Sequence, residues 1–269
     1  VLLDLPRKLM SDFDISLRNG NFVTPTGEMR TDVGVADGKI ASLTQNLGGS
    51  AKAELNLGGS LVFPGFFDAH VHFNEPGRTD WEGLATGSAA LAAGGGTSFC
   101  DMPLNSSPPV TDRESLETKK TLAKAKSVLD FALWGGLLPS NADKIPEMAK
   151  GGAIGVKAFM AHSGLDEFPW VTADDLRRGM IEAAKVDMLV SVHAESEALL
   201  RKPKGPTVED FLESRLIETE VEAIRVACDL AGETGCRLHV VHVSCPEGIA
   251  VISKAKSNGV DVTAETCPH

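Results

Sequence analysis

Residues 66–83, FFDAHVHFNEPGRTDWEG, decide how the rest of the chain is read. His70 and His72 stand one residue apart at the end of an apolar run, and a polar loop follows. On a strand, residues two apart face the same side. Both imidazoles therefore point together, roughly 7 Å apart along the backbone. Such a pair is either half of a metal site or polar surface on a half-exposed strand. The surrounding sequence decides between the two.

Working outward, residues 64–269 alternate strand-like runs with longer helical segments. The runs are GFFDAHVHF (65–73), GTSFCDM (96–102), VLDFALWGGL (128–137), AIGVKAFMA (153–161), MLVSVHAE (188–195), RLHVVHVS (237–244) and DVTAETC (261–267). Between them, DWEGLATGSAALAAGGG predicts a helix with a glycine stop at Gly94. ETEVEAIRVACDLAGETG places Val221, Ile224, Cys228 and Ala231 at helical intervals and ends near Gly232 and Gly235. Repeated strand–helix alternation implies a parallel sheet. No G-x-G-x-x-G follows a strand, which disfavours a dinucleotide-binding open sheet. Polar residues at strand C-terminal ends suit a (β/α)8 TIM barrel, where such ends share one mouth.

The expected fold class is thus α/β, a barrel lacking its last unit and preceded by a small β-sandwich module. The expected domains are residues 1–63 and 64–269, with residues 1–13 an extension and Met10 a candidate native start. An eighth strand, its helices and the return of the β module are expected beyond residue 269. In residues 14–63, Asn19-Gly20 and Asp37-Gly38 between apolar runs predict two hairpin turns.

Bulk properties narrow the function. The 269 residues are 42% hydrophobic with a net charge of −11. That charge argues against nucleic acid as a partner, because phosphate binding needs basic surface. No apolar run approaches a membrane span, and the N-terminal residues are too short and charged for a signal peptide. The five cysteines are odd in number and form no C-x-x-C, which fits a reducing, cytoplasmic location.

The chemistry-bearing residues sit at the ends of the runs. His70 and His72 end the first, Lys157 lies near the end of the fourth, His193 ends the fifth and His242 lies near the end of the sixth. Taken singly, each has a plain reading: polar surface, a snorkelling lysine, a satisfied structural histidine. Jointly, at one barrel mouth, four imidazoles suit zinc or another late divalent metal. A pair of ions needs a bridge. Lys157, carboxylated by CO2, would supply one oxygen to each. His239, three residues before His242, is expected to face the helix layer as a structural residue. His162, Asn74, Asn105 and Ser244 are candidate substrate contacts. Asp101 is expected to satisfy backbone groups, Glu75 and Arg78 to pair in a loop, and Cys245 to be structural. His269 has no assigned role.

With these residues placed, the chain resembles the cyclic amidohydrolases: dihydroorotases, hydantoinases and allantoinases. PGFFDAHVHFNEPG, GVKAFM, VHAE and VHVSCPEG look like that family's metal-ligand motifs in the family's order, and ETCPH like a segment near its seventh strand. The resemblance implies two divalent metals, most commonly zinc, whose shared hydroxide opens a cyclic amide. It assigns His70 and His72 to the more buried metal, His193 and His242 to the more exposed one, and carboxylated Lys157 to the bridge. It also implies a proton-shuttling aspartate after strand eight, past residue 269, and a homo-oligomer, dimer or tetramer. Dihydroorotases carry arginine where this chain has Asn74, and hydantoinases often carry tyrosine where it has His162. HVHFNEPGRTDWEG and DMPLNSSPP resemble allantoinases. The expected reaction is therefore allantoin to allantoate, in purine and ureide catabolism. Dihydroorotase, dihydropyrimidinase or hydantoinase activity is the alternative within the family. A non-catalytic scaffold is the alternative outside enzymes.

Overall fold

The computed structural model describes residues 11–267. The chain divides between Gly65 and Phe66 into two compact units. In the first, β1 (Phe13–Thr24), β2 (Gly27–Ala36), β3 (Lys39–Thr44), β4 (Ala51–Asn56) and β5 (Leu61–Val62) form one mixed sheet in the order β3-β2-β1-β4, with β5 also on β1. The expected sandwich is a single sheet among the described residues. Its cause is the pairing of β1, which bonds β2 antiparallel on one edge and β4 and β5 in parallel on the other. All five strands are thereby spent in one layer.

Asp37-Gly38 closes the β2–β3 hairpin as expected, with φ of 51° and 70°, the left-handed pair that a two-residue turn requires. Asn19-Gly20 does not turn the chain. β1 runs through it with a register shift between Leu17 and Gly20, a β-bulge. The Asn19 N–H is taken by the Asp32 carboxylate at 2.8 Å. Gly20 leaves room for the Phe22 ring, which a Cβ would approach to 2.5 Å. The turn falls instead between Thr24 and Gly27.

The second unit is mixed α/β with parallel sheets. Its strands are β6 (Phe66–Val71), β7 (Gly96–Asp101), β8 (Asp130–Leu133), β9 (Gly135–Gly136), β10 (Gly155–Phe159), β11 (Leu189–His193), β12 (Leu238–Val240) and β13 (Val262–Ala264). They pair in the orders β6-β7-β8 and β9-β10-β11-β12-β13, every pair parallel. Each expected run contains a strand, and the third is shared between both sheets. It breaks at buried Trp134, whose ring lies where a Cβ on Gly155 would come within 2.3 Å.

The helices are α1 (Leu84–Ala93), α2 (Arg113–Lys126), α3 (Ile145–Gly151), α4 (Ala173–Ala184), α5 (Val208–Ser214), α6 (Ile217–Thr234) and α7 (Pro246–Ser257). Asp112, Thr172 and Thr207 cap α2, α4 and α5 by accepting the N–H three residues on. α1 stops at Gly94, and α6 stops at left-handed Gly235. The core lies between sheet and helices. Val156, Val190, Val192 and Val240 meet Leu176, Met180, Ile224 and Ala227 there, and all are buried. Truncating one of the larger members to alanine costs about 2–5 kcal/mol. Among the described residues no helix is long and apolar enough to cross a membrane.

Candidate metal centre

Parallel strands deliver their C-terminal ends to one side, and β6, β10, β11 and β12 each bring a side chain there. His70 Nε2 and His72 Nε2 lie 3.3 Å apart. His193 Nδ1 and His242 Nε2 lie 3.2 Å apart. The His70 and His242 ring centroids are 5.6 Å apart, so the two pairs form one cluster.

Three of the ring nitrogens that face away from the cluster meet a neighbouring oxygen. His72 Nδ1 donates to the Leu104 carbonyl at 2.8 Å. His70 Nδ1 meets Glu265 Oε1 at 2.6 Å. His193 Nε2 is 3.5 Å from Glu195 Oε2, and Glu195 in turn holds the Arg215 guanidinium at 3.3 Å. Outward N–H donation fixes the tautomer and leaves the inward nitrogen with a free lone pair, the arrangement seen behind metal-binding histidines. Burial pushes His72 down to about 4, with the charges of His70 and Lys157 adding to it. Burial also pushes His242 down to about 3, helped by the nearby charge of Lys157. Both rings are therefore neutral at neutral pH.

Lys157 is 1% exposed, and its Nζ has no hydrogen-bond partner among the described residues. Burial lowers it from the usual lysine range to about 7. Its Nζ stands 5.3 Å from the Phe159 ring centroid, and that ring stacks on His193 at 4.6 Å. Lys157 shares the inner face of β10 with Phe159, while Val156 and Ala158 point into the helix-side core.

The donor set fits a pair of divalent ions, on the test of the orphaned amine. Among the described residues no three His, Cys, Asp or Glu side chains make a metal cage on their own. The cluster instead offers two half-sets of imidazole and a buried nitrogen with nothing to bind. A buried polar group without a hydrogen-bond partner is costly, and the Lys157 amine is such a group.

The rim residues sort differently. Asn105 Nδ2 donates to Asn74 Oδ1 at 3.2 Å, and Asn74 is buried. Ser244 is exposed and committed elsewhere: its hydroxyl donates to Glu220, and so does its N–H, at 2.8 Å. His162 is exposed and accepts the Gly164 N–H at 3.0 Å, within the loop after β10. Asp101 takes the Phe73 N–H at 3.0 Å as expected. It also stands 3.0 Å from Lys119 Nζ, off the line of a hydrogen bond, so the contact is between charges. Glu75 and Arg78 do not pair. Glu75 joins Lys126 and accepts the Leu84 N–H at the start of α1, and Arg78 joins Glu167. Cys245 caps α7 through its sulfur, a structural role. His269 lies outside the described residues. A cleft of about 310 Å³ opens beside His193 and His242, lined also by Glu195, Arg215 and Leu212.

One residue was missed in the sequence and another was given the wrong face. Glu265 follows β13, and its other oxygen lies 3.2 Å from His239 Nε2. His239 thus faces inward, against expectation. Strand alternation fails here because β12 ends at Val240 and His242 turns to a left-handed φ of 38°. Glu265 could have been found by treating every polar residue just past a strand end as a mouth residue.

A profile of the amidohydrolase family matches residues 61–269. An allantoinase of Deinococcus radiodurans is 51% identical over 95% of this chain and 59% of its own length. An allantoinase of Rubrobacter xylanophilus is 49% identical over 97% of this chain and 59% of its own length. The solved L-hydantoinase (dihydropyrimidinase) from Arthrobacter aurescens superposes with a TM-score of 0.88 at 34% identity, over 95% of this chain and 58% of that one. The chain therefore spans somewhat under two thirds of the length of the relatives it matches. With the family profile running from β5 to the last residue, the chain belongs to the amidohydrolase family.

Proposed function

We propose that the protein hydrolyses a cyclic amide, with allantoin as substrate and allantoate as product, at a two-metal centre in the mouth of a (β/α)8 barrel. One observation carries the reading: four imidazole nitrogens converge beside a buried, partnerless lysine amine. The similarity to allantoinases supports the choice of substrate.

In this reading His70 and His72 hold one zinc ion, His193 and His242 hold the other, and Lys157 lies between them as its carbamate. When bound, such ions lower the pKa of a water and polarise a carbonyl, which is what ring opening needs. The protein's own residues prepare the place. The Leu104 carbonyl keeps the His72 proton on Nδ1, away from the cluster. Phe159 backs the His193 ring and shields that side from water. Asn74 and Asn105 present uncharged amides to an uncharged hydantoin ring, fixing its orientation without a counter-ion. Arg78 is engaged with Glu167, so its charge is not free for a substrate anion. Five unpaired cysteines fit a reducing location such as the cytoplasm.

The test is metal content together with turnover of allantoin, dihydroorotate and dihydrouracil by the full-length protein. Two ions per subunit and fastest turnover of allantoin are expected. No metal and no turnover would leave a scaffold, and faster turnover of another ring would move the substrate.

A further inference from the structure

We propose that Glu265 is a positioning residue that sets His70, and with it one half of the metal centre, by bracing that ring against His239. The inference rests on the two-metal reading above. Glu265 Oε1 is 2.6 Å from His70 Nδ1, and Oε2 is 3.2 Å from His239 Nε2. The Thr263 hydroxyl closes the far end, 2.8 Å from His239 Nδ1. An ionised carboxylate can only accept. His70 therefore carries its proton on Nδ1 and turns a bare Nε2 to the cluster. His239 carries its proton on Nε2, and its Nδ1 faces the Thr263 hydroxyl. The carboxylate alone leaves a single tautomer for His70.

The other rings are backed differently. His72 leans on a neutral carbonyl. The carboxylate behind His193 is more distant, at 3.5 Å, and its charge is shared with Arg215. Among the described residues no lysine or arginine forms an ion pair with Glu265, which contacts His70 and His239. A carboxylate behind His70 makes that imidazole the stronger donor. The contact also ties the end of β13 to β6, two strands that do not bond to each other. The halves of the centre are thus unequal, and the half containing His70 depends on Glu265.

The experiment is a zinc titration of the metal-free full-length protein by calorimetry, for wild type and Glu265→Gln. Wild type is expected to take up two equivalents. The variant is expected to bind one equivalent about 10- to 100-fold more weakly, and the other within about threefold of wild type. If Glu265→Gln fails to fold, His239→Gln leaves the carboxylate but removes its brace, and a smaller loss at one equivalent is expected. Two unchanged equivalents, or equal weakening of both, would overturn the role of Glu265 while leaving the metal centre standing. No zinc uptake by wild type would overturn the centre itself, and this inference with it.

Discussion

Arg78 donates through Nη1 to the Asn105 carbonyl at 2.7 Å, across 27 residues of sequence. Its other arm reaches Glu167 Oε1 at 2.6 Å, so one guanidinium ties the loops after β6, β7 and β10. Asn105 is in turn bonded to Asn74. Arg78→Ala is therefore expected to loosen the amide pair without touching the histidines. Steady-state kinetics should show kcat/KM falling on the order of 10- to 100-fold, as a small misplacement of an orienting group does. Metal content should stay at the wild-type level. An unchanged KM and kcat would remove Arg78 from the orienting role.

Lys157→Ala removes the buried amine whose charge bears on both His72 and His242. Activity should vanish and the metal content should drop. Added acetate or propionate should restore part of the rate if, as proposed, a Lys157 carbamate serves both halves of the centre, because a small carboxylate can stand in for its oxygens. A variant that keeps both its metals and its rate would end the bridging role. His72→Ala should abolish activity without rescue by these acids.

Lys119 and Asp101 form an ion pair in which both side chains are almost fully buried. Lys119→Ala strands the Asp101 carboxylate in the interior, and breaking a buried pair in this way costs about 3–5 kcal/mol. Denaturant unfolding should show that loss. Replacing both residues with apolar side chains of similar volume should cost less than the single change, because no lone charge remains.

Asp32 gives a pH signature in the first unit. The N–H groups of Asn19 and Leu47 hold its carboxyl below the usual carboxylate range, with Arg18 assisting. A depressed folded pKa means that the unfolded chain binds the proton more readily. The stabilisation is then complete above an unfolded value of about 3.9 and is lost as pH falls through the lower folded value. Melting temperature between pH 5 and pH 2 should fall less steeply in Asp32→Asn than in wild type. Parallel slopes would show that Asp32 does not contribute to acid sensitivity.

Much of this architecture was legible in the sequence because burial imposes a period. The runs around Val156, Val190 and Val240 alternate with amphipathic helices and could hardly be read otherwise. His70 and His72 were legible because two residues apart on a strand is a geometric statement. What failed was local backbone detail. Asn19-Gly20 has the composition of a turn, but a bulge uses the same left-handed residue, and the choice was made by Asp32, thirteen positions away. His239 was turned the wrong way because alternation was carried past the end of β12, into a residue at positive φ. The Glu75–Arg78 pairing followed proximity in sequence, whereas both side chains found partners on distant segments. Ser244 lay near the right histidine but was claimed by Glu220 from α6.

The Lys119 ammonium also donates to the carbonyls of Phe73 and Met102, just past the ends of β6 and β7. That cation stitches the first two strand exits together from beneath, so the Asn74 and Asn105 side of the opening cannot shift without exposing or unpairing a buried charge. The side where Leu212 and Arg215 border the cleft is held instead by the part-exposed Arg215–Glu195 pair, which water can screen. Tolerance for differently shaped ring substituents should therefore be concentrated there, and substitutions at Leu212 should widen substrate range more than any at Asn74.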